Sequence, residues 1–433
     1  MGEITVGIIG IAVMLLVFCT GIEIGFGMAI VGFLGFAYLV SFPAACNLLA
    51  QDFFEVFSSY TLTVIPLFIL MGQAAFSSGI AKKLYGSAYK FTSHVPGGLA
   101  MATVTGATAF GAVCGSMPAT AATFSAVAVP QMDRYNYDKR LSTGVVATVG
   151  VLGVLIPPSS LLIILGIITE QSIGQLFMAG LIPGLILAVT FMILIYAWCR
   201  INPRLGPHSE KYPWPVRMAS LREFLWPAII FLVVIGGLMK GFFTPTEAGS
   251  IGTFAVLVLT LVTRNLDLKG FIKAIADTIR PTCMILTLIA GSTVLGHFVT
   301  MTQIPLFAAE GIAKLQLPPW LIMTLIMFVY LLGGSFVDDL AFMILATPIL
   351  FPAVVKLGYD PLWFCVMVTI TLGIGVIIPP VAVSVFIVKN FTDVPFSVIY
   401  RGVYPFLLAL IACITLLFIF PGLVTWLPSV FYR

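Results

Sequence analysis

Residues 96–130 read PGGLAMATVTGATAFGAVCGSMPATAATFSAVAVP, an uncharged and mostly apolar stretch. Lys82, Lys83 and Lys90 precede it, and Arg134, Lys139 and Arg140 follow it. Positive charge marks the cytoplasmic side of a membrane segment, so both flanks belong to one face. Two arms of about 15 residues reach roughly 22 Å each, short of a bilayer core of about 30 Å. The stretch therefore reads as a re-entrant hairpin that turns at Gly115-Ser116. Irregular backbone at that depth is tolerated only inside protein or beside a water-filled cavity.

The rest of the chain fits a bilayer. Of 433 residues, 60% are hydrophobic and 9% charged, and the mean hydropathy is +1.13. A soluble domain carries about 25% charged residues, so soluble enzymes and nucleic-acid binders are excluded. The net charge of +4 leaves no surplus for a polyanion. Apolar runs predict ten spans, at 4–22, 24–42, 60–79, 142–169, 176–198, 224–240, 247–263, 281–300, 361–388 and 400–430. Of the 21 Lys and Arg residues, all but Lys240, Lys314, Lys356 and Arg433 fall on one side of this arrangement. Both termini then lie outside, and 317–355 becomes a second hairpin entering from the opposite face, with its turn read at Gly334-Ser335. The polar segment 199–222, with Pro203, Pro207, Pro213 and Pro215, reads as an interdomain loop; its Arg200–Arg222 charges read as a topology signal. The N-terminal Met1-Gly2-Glu3 lacks a basic leader and reads as the start of a retained helix. Seven scattered cysteines have no metal-ligand or disulfide spacing.

The two halves echo each other. Pro157-Pro158 begins 42 positions after Gly115, and Pro379-Pro380 begins 45 positions after Gly334, in Gly334-Ser335. Pro-Leu-Phe recurs at Pro66–Phe68 and Pro305–Phe307. Five spans on each side of the 199–222 loop turn the second copy upside down. The expected fold is all-α and polytopic: about ten spans plus two re-entrant hairpins, in inverted repeats over 1–198 and 223–433. Inverted repeats with helices broken at the midplane are a secondary-transporter architecture.

A double proline removes two backbone donors and frees carbonyls one turn earlier. Unwound carbonyls suit Na⁺, and helix N-termini suit anions. Gly153, Ile156 and Pro158 can offer oxygens to one Na⁺ beside Gly115-Ser116. Gly375, Ile378 and Pro380 can do so for a second beside Gly334-Ser335. Ser116, Ser159 and Ser160 then face a substrate cavity. Intramembrane carboxylates are functional candidates, and Asp338-Asp339 is the strongest pair, with Asp338 ahead. His297 reads as a structural hydrogen bonder, Glu247 as a helix start capped by Thr244, and Glu170 as a solvated loop residue. No P-loop occurs, so ATP hydrolysis is excluded at motif level. Neither a Ser-His-Asp set nor HExxH occurs, and three histidines leave little acid–base chemistry, so no enzyme is expected.

Over nearly its whole length the chain resembles the large membrane subunit of tripartite ATP-independent periplasmic (TRAP) transporters of the dicarboxylate and sialic acid type. The resembling stretches are PLFILMG (66–72), VPGGLA (95–100), FGAVCGSMPAT (110–120), GVLIPPSS (153–160) and SIGQLFMAGLIPG (172–184). GGLMKGFFTPTEAG (236–249), GYDPLWF (358–364) and GVIIPP (375–380) continue the match. The resemblance implies an elevator-type, Na⁺-coupled importer of an organic anion in the bacterial inner membrane, with the ion-transporter-superfamily fold. It implies two partners, a periplasmic substrate-binding protein and a small four-helix membrane subunit, here a separate chain. By motif position Ser116 and Asp338, with Ser159 or Ser160, look substrate-facing, and the two glycine–proline sets look like Na⁺ ligands. The tip GGSFVDDLAF departs from the pattern in its paired aspartates. A stand-alone Na⁺–carboxylate symporter of the same fold is the competing reading.

Overall fold

The computed structural model describes residues 2–18, 20–208, 211–263, 266–304, 307 and 317–432. Cys19, Arg264, Pro305, Leu306, Lys314 and Arg433 lie outside them. The described residues form helices and loops with no strand among them. The first half holds α1 (Glu3–Phe18), α2 (Ile24–Leu39), α3 (Phe42–Ser58), α4 (Val64–Ser77), α5 (Ile80–Thr92), α6 (Gly98–Cys114), α7 (Met117–Arg134), α8 (Lys139–Leu155), α9 (Ser160–Ile168) and α10 (Ile173–Ile201). The second holds α11 (Trp214–Ser220), α12 (Arg222–Met239), α13 (Pro245–Val262), α14 (Leu268–Met301), α15 (Pro319–Phe336), α16 (Asp339–Lys356), α17 (Pro361–Gly375), α18 (Val383–Thr392), α19 (Phe396–Ile419) and α20 (Gly422–Phe431). Among the described residues, seven helices are long and apolar enough to cross a membrane, or nine if two bent pairs each count as one span. The molecule is a polytopic α-helical membrane protein.

Several boundaries differ from the hydropathy reading. Helix α3 was not expected, because Asn47, Gln51, Asp52 and Glu55 interrupt the apolar run. Gln51 Nε2 donates to Glu55 Oε1 at 2.9 Å on the exposed side of the helix, and the buried Asp52 sets Oδ1 3.4 Å from His297 Nε2 on α14. His297 is thus a structural partner of a buried carboxylate. Helix α14 starts well before the expected 281, and the run 400–430 divides at Pro421 into α19 and α20. The loop 199–222 is shorter than expected, since α10 continues to Ile201 and α11 occupies Trp214–Ser220. Its proline at the helix start is compatible with this, because N1 needs no backbone donor. The capping box of Thr244 and Glu247 forms as read from sequence.

The helices recur at a fixed interval. Met117–Arg134 and Asp339–Lys356 are both 18 residues long and begin 222 positions apart. At the same interval Asp138 and Asp360 cap α8 and α17. Pro130 and Pro352 lie inside α7 and α16, and Pro183 and Pro405 inside α10 and α19. The first-half counterpart of α14 is α3 followed by the turn and α4, bent by 54°.

Lipid gives little hydrophobic drive for helix association, so small residues that admit close backbone contact carry the packing. Helices α2 and α14 meet this way. A Cβ on Gly32 would stand 2.6 Å from Leu295 N, and one on Gly25 2.8 Å from the Thr287 carbonyl carbon. Gly144 of α8 lies against Gly402 of α19 with no room for a methyl group on either. Gly180 and Gly184 of α10 seat the end of α8, against Leu155 O and Ile156 Cγ1.

Candidate functional site: a cavity between two helical hairpins

The first hairpin turns where Gly115 ends α6 in the left-handed region, at φ +65°. A side chain is disfavoured there, which is the reason for glycine. Ser116 follows in extended backbone and accepts a hydrogen bond from Ala119 N, capping α7. The broken segment α8–α9 wraps this turn. Ser160 donates to Gly115 O through both its hydroxyl (3.0 Å) and its backbone N–H (3.3 Å). A Cβ on Gly115 would fall 2.5 Å from Pro158 O, and one on Gly153 would meet Thr120 Oγ1 and, at 3.2 Å, Ser116 O. Gly115, Ser116, Gly153, Pro158 and Ser160 therefore form one junction. Pro157 and Pro158 cannot donate to Gly153 and Val154, so those carbonyls lack their helical partners.

The second hairpin corrects one expectation. Gly334-Ser335 is not the turn; both residues lie buried in the last turn of α15. The chain reverses at Val337 and Asp338, both in extended backbone, and Asp338 caps α16 by accepting from Ala341 N at 3.2 Å. No positive φ occurs at this turn, so no glycine is needed there. Counted from Val337, Pro379 stands 42 positions on, the interval that separates Gly115 from Pro157. Gly334 and Ser335 serve contact instead. A Cβ on Gly375 would lie 2.8 Å from the Gly334 carbonyl carbon, and Val381 N donates to Ser335 O at 3.1 Å. Around this second junction Ile378 is half-buried and Pro380 exposed, whereas Ile156 and Pro158 are buried. The Ser384 hydroxyl is buried here without a hydrogen-bond partner.

Both turns open on one cavity of about 480 Å³. Its polar wall comprises Ser116, Ser160, Gln73, Asp338 and Asp339, with Gly115 and Pro158 beside them. Asp338 is exposed to it; Asp339 is half-buried and accepts from Leu340 N. Helix α4 supplies Ile65, Phe68 and Phe76, and α14 supplies Pro281 and Met284, as an apolar wall. Ser159, grouped from sequence with Ser160, does not reach the cavity. It is fully buried and caps α9 through Leu162 N. Of the carbonyl candidates, Gly153, Ile156, Gly375, Ile378 and Pro380 do not line the cavity. Gln73 escaped the sequence reading because a lone glutamine in an apolar helix carries no motif. Among the described residues the cavity wall holds no Lys, Arg or His, and no group of three His, Cys, Asp or Glu could bind a metal ion.

The profile of the family described as "Tripartite ATP-independent periplasmic transporter, DctM component" matches residues 11–423. The chain belongs to the DctM family. It is 33% identical over 391 residues to the C4-dicarboxylate TRAP transporter large permease protein DctM of Pseudomonas aeruginosa, covering 90% of this chain and 89% of that one. It is 30% identical over 413 residues to the sialic acid TRAP transporter large permease protein SiaM of Vibrio cholerae, covering 95% and 96%. Among solved structures, Neisseria gonorrhoeae MtrF superposes with a TM-score of 0.62 over 97% of this chain and 95% of that one, at 12% identity. That likeness shows a shared transporter fold alone. A DctM-family chain is a permease component rather than an enzyme.

Proposed function

We propose that this chain is the transport subunit of a Na⁺-coupled, binding-protein-dependent importer of an organic anion such as a carboxylate or sugar acid. The observation that carries the reading is the composition of the shared cavity. Two aspartates stand in its wall, and among the described residues no basic side chain lines it. Like charges at close range in a poorly hydrated site repel strongly, so an anion enters only with compensating cations. The unwound carbonyls at the two proline breaks are suitable Na⁺ ligands. Gly153, Ile156 and Pro158 with Gly115 and Ser116 would hold one ion. Gly375, Ile378 and Pro380, with Ser335, Gly334 and the unpartnered Ser384 hydroxyl, would hold a second. The N-terminus of α7 and the Ser116 and Ser160 hydroxyls would receive the substrate carboxylate, and Asp338 its hydroxyl groups.

Topology supports an elevator. With flanks on opposite faces, hairpins that crossed completely would place their turns on opposite surfaces. Instead Gly115, Ser116, Asp338 and Asp339 line one cavity, as two re-entrant hairpins of an inverted repeat would. The mobile domain would comprise α6–α10 and α15–α19, joined by the close crossing of α8 and α19, and the α2–α14 contact would belong to the scaffold. The protein would sit in a bacterial inner membrane with both termini periplasmic. It would receive cargo from a periplasmic binding protein and assemble with a separate small membrane subunit. Drop-out reconstitution tests this: proteoliposomes with both membrane subunits should accumulate the anion only when the loaded binding protein is added. Accumulation from free substrate would identify a stand-alone symporter instead.

A further inference from the structure

A second built feature lies away from the cavity, where α5 crosses α11 and α12. Lys82, Lys83, Gly86 and Lys90 share one face of α5, at the spacing that aligns side chains on a helix. Facing them across a furrow are Ser220, Arg222 and Glu223, and the gap spans two adjoining hollows of about 440 and 190 Å³ that share Lys83 and Glu223. The helices are tied at this level, since Ser87 Oγ donates to Ser220 O at 2.6 Å. The floor of the furrow is open at Gly86, where a Cβ would meet nothing within 4 Å. None of the four cations forms an ion pair among the described residues, and Glu223 alone opposes them.

A topology signal needs only positive charge, not a furrow, so charge placement does not account for this shape. Below the charged end the lining becomes apolar at Trp226, Pro227 and Leu259. From there α12 presents Leu225, Trp226, Ile229 and Leu232 outward, each at least 39% exposed. Basic groups at interfacial height, a tryptophan at the boundary and an apolar helix face beneath match the sections of a phospholipid: phosphate, glycerol and acyl chain.

We propose that this furrow binds the phosphodiester headgroup of an anionic phospholipid, with Lys82, Lys83, Lys90 and Arg222 on the phosphate and the acyl chains along α12. A zwitterionic lipid brings its own cation and gains little here. Each basic residue near an anionic surface is worth about a fivefold factor in binding.

The test uses the full chain, purified in detergent and stripped of lipid. Phosphatidylglycerol, phosphatidylcholine and inorganic phosphate are titrated separately, with adducts counted by native mass spectrometry and the unfolding temperature followed in parallel. Phosphatidylglycerol should bind and raise the unfolding temperature, and phosphatidylcholine should do neither. The triple variant K82Q/K83Q/R222Q should lose at least tenfold in affinity. Gly86→Leu, which fills the floor and leaves every charge in place, should lose the same adduct. Phosphatidylglycerol binding unchanged in both variants would overturn the proposal. So would saturation by inorganic phosphate at equal concentration, which would make the site one for a soluble anion. Displacement of the lipid by the small membrane subunit at equimolar ratio would assign the furrow to that partner and also overturn it.

Discussion

Ser116 and Asp338 occupy the same place in two hairpins 222 positions apart: each caps the second arm of its hairpin, and both line one cavity. A hydroxyl and a carboxylate at equivalent positions make the two sides of the cavity chemically unequal, as an asymmetric substrate requires. Asn caps a helix about as well as Asp, so Asp338→Asn removes charge without removing the cap. Its unfolding temperature should stay within about 2 °C of wild type, while initial uptake falls at least tenfold, about 1.4 kcal/mol of lost transition-state stabilisation. Wild-type uptake by this variant would remove Asp338 from the site.

The glycines of the two broken segments give a second expectation. Gly153→Ala places a methyl group against Thr120 and Ser116, and Gly375→Ala places one against the Gly334 backbone. Around Gly375 the neighbours are all main chain, and at Gly153 the nearest is the Thr120 hydroxyl, itself bonded to Ser116 O, so neither site yields cheaply; overpacking of this kind costs about 1–3 kcal/mol. Both variants should transport poorly and need higher Na⁺ for half-maximal rate. An unchanged Na⁺ dependence would separate these junctions from ion binding.

The crossing of α8 and α19 is a control remote from the cavity. Gly402→Ala sets a Cβ against Arg140 O and the Gly144 Cα. Thermal unfolding should fall by several degrees, with the Na⁺ dependence of the surviving folded fraction unaltered. A shift in Na⁺ dependence would mean that this contact takes part in the transport cycle.

Asp138 links stability to pH. Its carboxylate accepts from Arg140 Nε at 3.0 Å and from the Arg140 backbone N–H at 2.8 Å. The hydrogen bond from the Arg140 side chain is the main reason the carboxyl is held below its ordinary range. A carboxyl depressed in the folded state contributes its full stabilisation above its unfolded pKa of about 3.9, and loses it as pH falls further. The unfolding temperature should therefore drop on acidification from pH 5 to pH 3. Asp138→Asn should be less stable at pH 7 and lose less over that interval. Parallel pH profiles for the two proteins would contradict this.

The proline breaks and most of the helices were legible because a bilayer enforces long apolar runs. What misled was glycine. Gly115 marks a turn because its φ is positive, whereas Gly334 is small for contact with Gly375, and the true turn at Val337-Asp338 is extended and needs no glycine. The unequal intervals of 42 and 45 positions already signalled the misplacement. Asp138 with Asp360 and Pro183 with Pro405 carry the uniform offset in the sequence. Helix α3 was hidden because Asn47, Gln51 and Glu55 stay exposed while Asp52 is buried against His297 of α14, a tertiary arrangement that hydropathy does not register. Ser159 and Ser160 could not be separated by sequence, since only the start of α9 decides which one caps and which one faces the cavity.

On the proposed function, cations make the acidic cavity habitable for an anion. Initial uptake of labelled anion should be measured in proteoliposomes of the complete system at zero membrane potential, with external Na⁺ replaced stepwise by K⁺ at constant pH and ionic strength. Uptake should fall at least tenfold in K⁺ and depend sigmoidally on Na⁺, reporting more than one ion per cycle. Uptake that is equal in Na⁺ and K⁺ would contradict the proposed function.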